Sequence, residues 1–163
     1  MTVAQTQKII AYTITPTLDT SAYADGDVMG TSATGLTLYS SFPPSRVSGI
    51  IHDVRVVDKD KEAANFDIYV LDREVSMGTD NAAVSWSDAD SLATQGIIQV
   101  TTYLTSANNS VSMVDEADLP FLATVSGGGP SDSAVLYFGF VARATPTYTA
   151  ASDLSIELKI SLD

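Results

Sequence analysis

The sequence predicts an all-β protein, an antiparallel β-sandwich or barrel with one short connecting helix. Three observations predict it. Apolar residues recur with period two in several separate runs, as they do along a strand with one buried face. Clusters of Gly, Pro, Asn, Asp and Ser divide those runs at short intervals. Charged residues are only 17% of the chain, and Ser and Thr supply much of the polar surface, a composition that suits sheet faces and turns.

In chain order, Lys8 to Thr15 reads as a first strand, ended by Pro16, which has no N–H to give a ladder. Leu36 to Tyr39 is a short second one. Ile50, His52, Val54 and Val56 alternate with Asp53 and Arg55, which places His52 on an apolar face. Phe66, Ile68 and Val70 alternate with Asp67 and Tyr69. Ser87 to Thr94 reads as the helix: Ser87 is a good N-cap, Asp88 and Asp90 suit the first turn, and Gly96 is placed as the C-cap. Ile97 to Leu104 and Val135 to Ala142 are apolar enough to be buried on both faces, and Val111–Val114 and Phe121–Val125 are shorter candidates. Leu154, Ile156, Leu158, Ile160 and Leu162 form the clearest alternation, against Ser155, Glu157, Lys159 and Ser161. The separating turns are Asp25–Asp27, Phe42–Ser45, Met77–Asn81, Asn108–Asn109 and Gly127–Asp132.

Neither a repeat nor a linker divides the 163 residues, so one domain over 1–163 is expected, with 1–7 as a flexible arm. The net charge of −12 and eight scattered Lys and Arg argue against binding nucleic acid or an anionic membrane. There is no Cys, which excludes disulfides and thiolate chemistry. The polar start lacks the pattern of a secretion signal, and no apolar run approaches the ~20 residues of a membrane helix, so synthesis in a cytoplasm is expected.

Catalytic motifs are missing. His52 is the single histidine, and a buried or interface role is the expectation for it. No nucleophile elbow, zinc-protease helix, phosphate loop or dinucleotide fingerprint occurs. The acid pairs Asp25/Asp27, Asp58/Asp60, Asp88/Asp90 and Asp115-Glu116-Ala117-Asp118 offer oxygens to Ca²⁺, but none continues into a calcium-loop pattern, and acids in turns ordinarily cap backbone amides. Trp86 alone is available to stack on a sugar. Tyr12, Tyr23, Tyr39, Tyr69, Tyr103, Tyr137 and Tyr148 suit either interface rims or half-buried strand shoulders. The expectation is no enzyme, with no catalytic, cofactor or metal residues.

Four stretches, in order, resemble a family of small virion structural proteins of tailed bacteriophages, found among head-decoration and cement-like proteins. Ile14 to Val28 contains P-x-L-D-T-x-x-Y-x-x-G-D, from Pro16 to Asp27. Ser48–Lys59 is similar to the family's next strand and Asn81–Asp90 to its helix entry. Leu136–Ala144 followed by Thr147–Leu154 is similar to its closing strands. The resemblance implies a jelly-roll-like sandwich and a capsid decoration or cement protein located in the virion, with the major capsid protein as partner. By analogy with other jelly-roll shell proteins, a homotrimer is expected. A tail or fibre component, or a carbohydrate-binding module, is the alternative.

Overall fold

A computed structural model describes residues 8–30, 33–38, 46–126 and 133–163. The expected arm over 1–7, Tyr39 and the turns Phe42–Ser45 and Gly127–Asp132 lie outside the described residues. The elements run β1 (Ile9–Ile14), β2 (Thr34–Leu38), β3 (Arg46–Asp58), β4 (Phe66–Leu71), α1 (Asp88–Ser91), β5 (Thr94–Val100), β6 (Leu104–Thr105), β7 (Ser110–Val114), β8 (Leu119–Ser126), β9 (Ser133–Ala142) and β10 (Leu154–Leu162).

Every strand pair is antiparallel. Two four-stranded paths emerge, β1-β10-β3-β8 and β2-β9-β4-β5. With the β6–β7 hairpin taken as an insertion between β5 and β8, this is the strand order of a jelly roll, a sandwich of two interlocked Greek keys. The end of β8 (Thr124–Ser126) also pairs with the start of β9 (Ser133–Val135), which joins the two sheets.

The core lies between the inner faces. Leu154, Ile156, Leu158 and Ile160 of β10 are fully buried, as the alternation requires, and meet Phe66, Ile68, Leu136, Phe138 and Phe140 from the other sheet in one cluster. Phe66 and Phe140 stand edge to face with centroids 6.5 Å apart. The segment between β4 and β5 covers the outer face of the second sheet. Val75, Met77 and Ala93 form a smaller cluster there with Leu71 and Val141, and Tyr69, Trp86 and Tyr137 pack against it. This second layer is why β9 is apolar on both faces.

Four local expectations change. The helix is shorter, Asp88–Ser91, with Ser87 and Asp90 forming a capping box, and its C-cap is Leu92. Gly96 lies inside β5 opposite Val70, where the side chain of Leu119 fills the space a Cβ would take. The run from Ile97 ends as a strand at Val100, and beyond it Tyr103 donates its hydroxyl to the Ala64 carbonyl at 2.8 Å. In β3 the period-two reading fails midway. Asp53 faces Lys159 and Ile51 faces Ile160, so His52 is the extra residue of a β-bulge. The bulge switches faces: Ile51, Val54 and Val56 are buried, while Ile50 and His52 are half-buried.

Gly49, in the first third of β3, lies beneath Phe121. A Cβ there would fall 2.7 Å from the Phe121 Cζ and closer still to the Ser161 carbonyl oxygen, which is backbone and cannot swing away. Gly49→Ala is therefore expected to destabilise the fold by about 1–3 kcal/mol, seen as a lower urea midpoint at unchanged m-value. An unchanged midpoint would mean that β3 and β10 are not held this closely.

Candidate functional site

Three of the acids singled out in the turns serve the turns themselves. Asp27 accepts the Ala24 amide at 2.7 Å. Asp58, fully buried, accepts the Asp60 and Ala63 amides at 3.0 and 2.7 Å, and burial raises its pKa. Asp90 closes the capping box with Ser87, whose hydrogen bond lowers the Asp90 pKa. Among the described residues no group of three or more His, Asp and Glu is placed to hold a metal ion. The P-x-L-D-T-x-x-Y-x-x-G-D stretch is likewise a clasp. Tyr23 donates to Asp80 at 2.9 Å, the same carboxylate takes the Gly30 amide at 2.8 Å, and Asn81 donates to Asp19 at 3.4 Å.

The tyrosines sit mainly in the core and on its shoulders. Tyr23 and Tyr148 are buried edge to face at 6.3 Å, and Tyr12 and Tyr103 pack against the main cluster. Trp86 rests edge to face on Tyr69 at 5.2 Å. Its ring is engaged in packing rather than presented as a platform for a ligand.

His52 is more elaborately held than the sequence indicated. Its Nδ1 lies 3.3 Å from Asp118 Oδ1 and its Nε2 2.9 Å from Ser161 Oγ. An acid, an imidazole and a hydroxyl thus stand in the order of a nucleophilic relay. Ser161 is fully buried in β10, however, so its Oγ cannot meet a substrate carbonyl. The same hydrogen bonds stitch three elements where β3 bulges. The carbonyl of His52 accepts the Ala117 amide at 2.8 Å, and Lys159 Nζ reaches Asp53 at 2.9 Å. The Lys159 hydrogen bond is the main cause of a lowered Asp53 pKa.

The distinctive surface lies where the two sheets meet without a ladder. Among the described residues the only ladder partner of β5 is β4, and its other edge approaches β7 and β8. Side chains bridge that seam. Gln95 accepts the Leu122 amide at 2.6 Å and donates to the Leu122 carbonyl at 2.9 Å. Leu119 seats on Gly96, and Thr124 Oγ1 donates to the Asp72 carbonyl at 2.7 Å. Ile97 and Leu122 stay 48% and 44% exposed along the seam. A hollow of about 240 Å³ opens beside Ile97, Ala117 and Leu119, and one of about 440 Å³ beside Ile50, Pro120 and Leu122. Sequence reasoning missed this surface. Its signal was Leu122, an apolar residue on the outer face of β8 between inward Phe121 and Ala123.

No protein-family model matches the chain, and no curated protein does. Among solved structures the chain is similar to one of Desmodium yellow mottle tymovirus, at a TM-score of 0.28 and 14% identity over 99% of this chain and 84% of that one. A likeness this distant does not bear on function.

The His52 cluster gives a pH prediction. A lowered pKa means that the Asp53–Lys159 contact favours the fold above the unfolded carboxyl pKa, about 3.9, and loses that effect as pH falls through the depressed value. Carboxyl-carbon NMR of Asp53 should show a midpoint below 3.9, shifting upward in Lys159→Met; equal midpoints would rule the contact out in solution. Ser161→Ala should cost about 1 kcal/mol in urea unfolding by leaving Nε2 of His52 without its partner.

Proposed function

We propose that the protein is a structural component of a bacteriophage virion, a decoration or cement protein that binds the assembled head. The sheet order β1-β10-β3-β8 against β2-β9-β4-β5 carries this reading. It is the jelly roll that recurs in viral capsid and lectin domains. The ordered sequence stretches similar to virion proteins point to the first of those two settings. Trp86, packed against Tyr69, speaks against a sugar-stacking platform. Fold alone does not specify function, so the proposal rests on both supports together.

The mechanism is linkage. A protein that binds only the assembled shell stabilises it by its binding free energy, about 2.7 kcal/mol per site when its free concentration is a hundred times Kd. Summed over a symmetric lattice, modest increments become large. The net charge of −12 favours solubility and leaves self-association to a specific surface. A homotrimer forming around a lattice three-fold belongs to the same proposal, and light scattering of the purified protein reads it directly.

The test is a binding assay on phage heads stripped of accessory proteins. The protein should sediment with the heads and raise the temperature at which they release DNA, and should not sediment with isolated tails. Attachment to tails or fibres instead would overturn the decoration reading, as would failure to bind any particle.

A further inference from the structure

His52 stands between two neighbours that ask different things of its ring. Nδ1 lies 3.3 Å from Asp118 Oδ1, in the loop that leads into β8, and Nε2 lies 2.9 Å from Ser161 Oγ in β10. An ionised carboxylate only accepts, so the ring nitrogen that faces it must carry a proton. A neutral imidazole has one such proton. With it on Nδ1, Nε2 is an acceptor and the Ser161 hydroxyl donates to it. The two contacts together therefore select the Nδ1–H tautomer. Ser161 is fully buried, and among the described residues Nε2 is the only hydrogen-bond partner of its Oγ.

A second proton acts oppositely on the two contacts. The imidazolium donates from both nitrogens. Its bond to Asp118 becomes charge-assisted and stronger. At Ser161 the bond must reverse, with Nε2–H donating to Oγ, and the hydroxyl hydrogen loses its acceptor in a buried place. The other charged groups around the ring leave this balance to Asp118 and Ser161. Asp53, next along β3, is held by Lys159 of β10 at 2.9 Å and takes the Glu116 amide at 3.4 Å. Arg55 is engaged by Glu157. Asp115 and Glu116, the remaining acids of the loop, are exposed. Strand β1 sets Ile9 opposite Ser161 and adds no charge there.

We propose that His52 is a proton-operated switch, which on protonation shifts the hold of the ring from Ser161 of β10 to the 115–118 loop through Asp118. The loop is suited to such control. Glu116 and Asp118 have φ of 54° and 38°, which residues other than glycine keep only where their surroundings impose it. The Ala117 amide donates to the His52 carbonyl at 2.8 Å, and Ala117 lines the hollow beside Ile97 and Leu119. The switch thus sets how firmly one wall of that hollow is held. Histidine ordinarily changes charge between about pH 5 and 8, which is the working window. The inference does not rest on the virion reading.

The test is nitrogen-15 NMR of the full chain with labelled histidine, whose single ring gives an unambiguous signal. At about pH 8.5 the ring proton should sit on Nδ1, with the Ser161 hydroxyl proton correlated to Nε2. At about pH 5 both nitrogens should be protonated and that correlation lost. The protection factor of the Ala117 amide, corrected for the intrinsic pH dependence of exchange, should be about threefold or more higher in acid. Asp118→Ala, at an exposed position, should leave the circular dichroism spectrum unchanged, move the proton at high pH to Nε2, and abolish the gain at Ala117. Glu116→Gln, in the same loop, should behave as wild type. An Nε2–H tautomer in the wild type at high pH overturns the proposal. So does Ala117 protection that is the same at both pH values, or that rises equally in Asp118→Ala. Should Asp118→Ala fail to fold, the wild-type tautomer and the Ala117 comparison still decide.

Discussion

The backbone of β3 sets the terms for the rest of the molecule. Its 13 residues run through the interior of the larger sheet, and the amides and carbonyls of such a strand must find partners along both edges. One edge is met by β10 from Gly49 to Asp58. The other is too long for β8, which covers Arg46 to Ile51, so β7 takes over from Val54 to Asp58. Where the two neighbours meet, the chain opposite β3 loops through Asp115–Asp118, with positive φ at Glu116 and Asp118, and β3 itself bulges at His52. The hydrogen bonds of His52, Asp53, Lys159 and Ser161 close the break. Strand β9 is shared in the same way, between β8 and β4 along one edge and β2 along the other.

These shared strands turn a row of strands into a sandwich. Because β8 begins beside β3 and ends beside β9, the two sheets are continuous at one corner and separate at the next, where β5 faces β8. A sandwich open at that edge exposes ladder groups and apolar flanks, which native sheets ordinarily blunt. Here Gln95 satisfies both backbone groups of Leu122, and Leu119 on Gly96 plugs the gap. The edge is sealed against strand pairing yet stays apolar on its surface.

Much of the fold was legible because inward and outward residues alternate from Leu154 to Ile160 in β10, and because the two-faced burial of β9 shows as a continuous apolar run. The failures have physical causes. Period two does not survive a bulge, so the alternation puts His52 on the face of Val54, where it does not lie. Asp67 reads as an outward residue between Phe66 and Ile68, but it is buried against Arg143, 2.7 Å away, and a pairing 76 residues distant leaves no local trace. Gly96 looked like a helix stop because glycine commonly serves there, whereas its missing Cβ makes room for Leu119. The seam was the least legible feature. It is made by two strands that do not pair, and neither β5 nor β8 signals the other in sequence.

The account stands on β3 being bonded along both edges from Gly49 to Asp58, the bulge at His52 apart, including the stretch served by the small β6–β7 hairpin. Residue-resolved amide hydrogen exchange measures this directly. The expected result is slow exchange in β3 from Gly49 to Asp58, matching β10 and the centre of β9, with protection carried across the bulge into Val54–Asp58. Fast exchange at Val54–Asp58, with protection kept only where β8 lies alongside, would show that β7 does not complete the edge and would contradict the account.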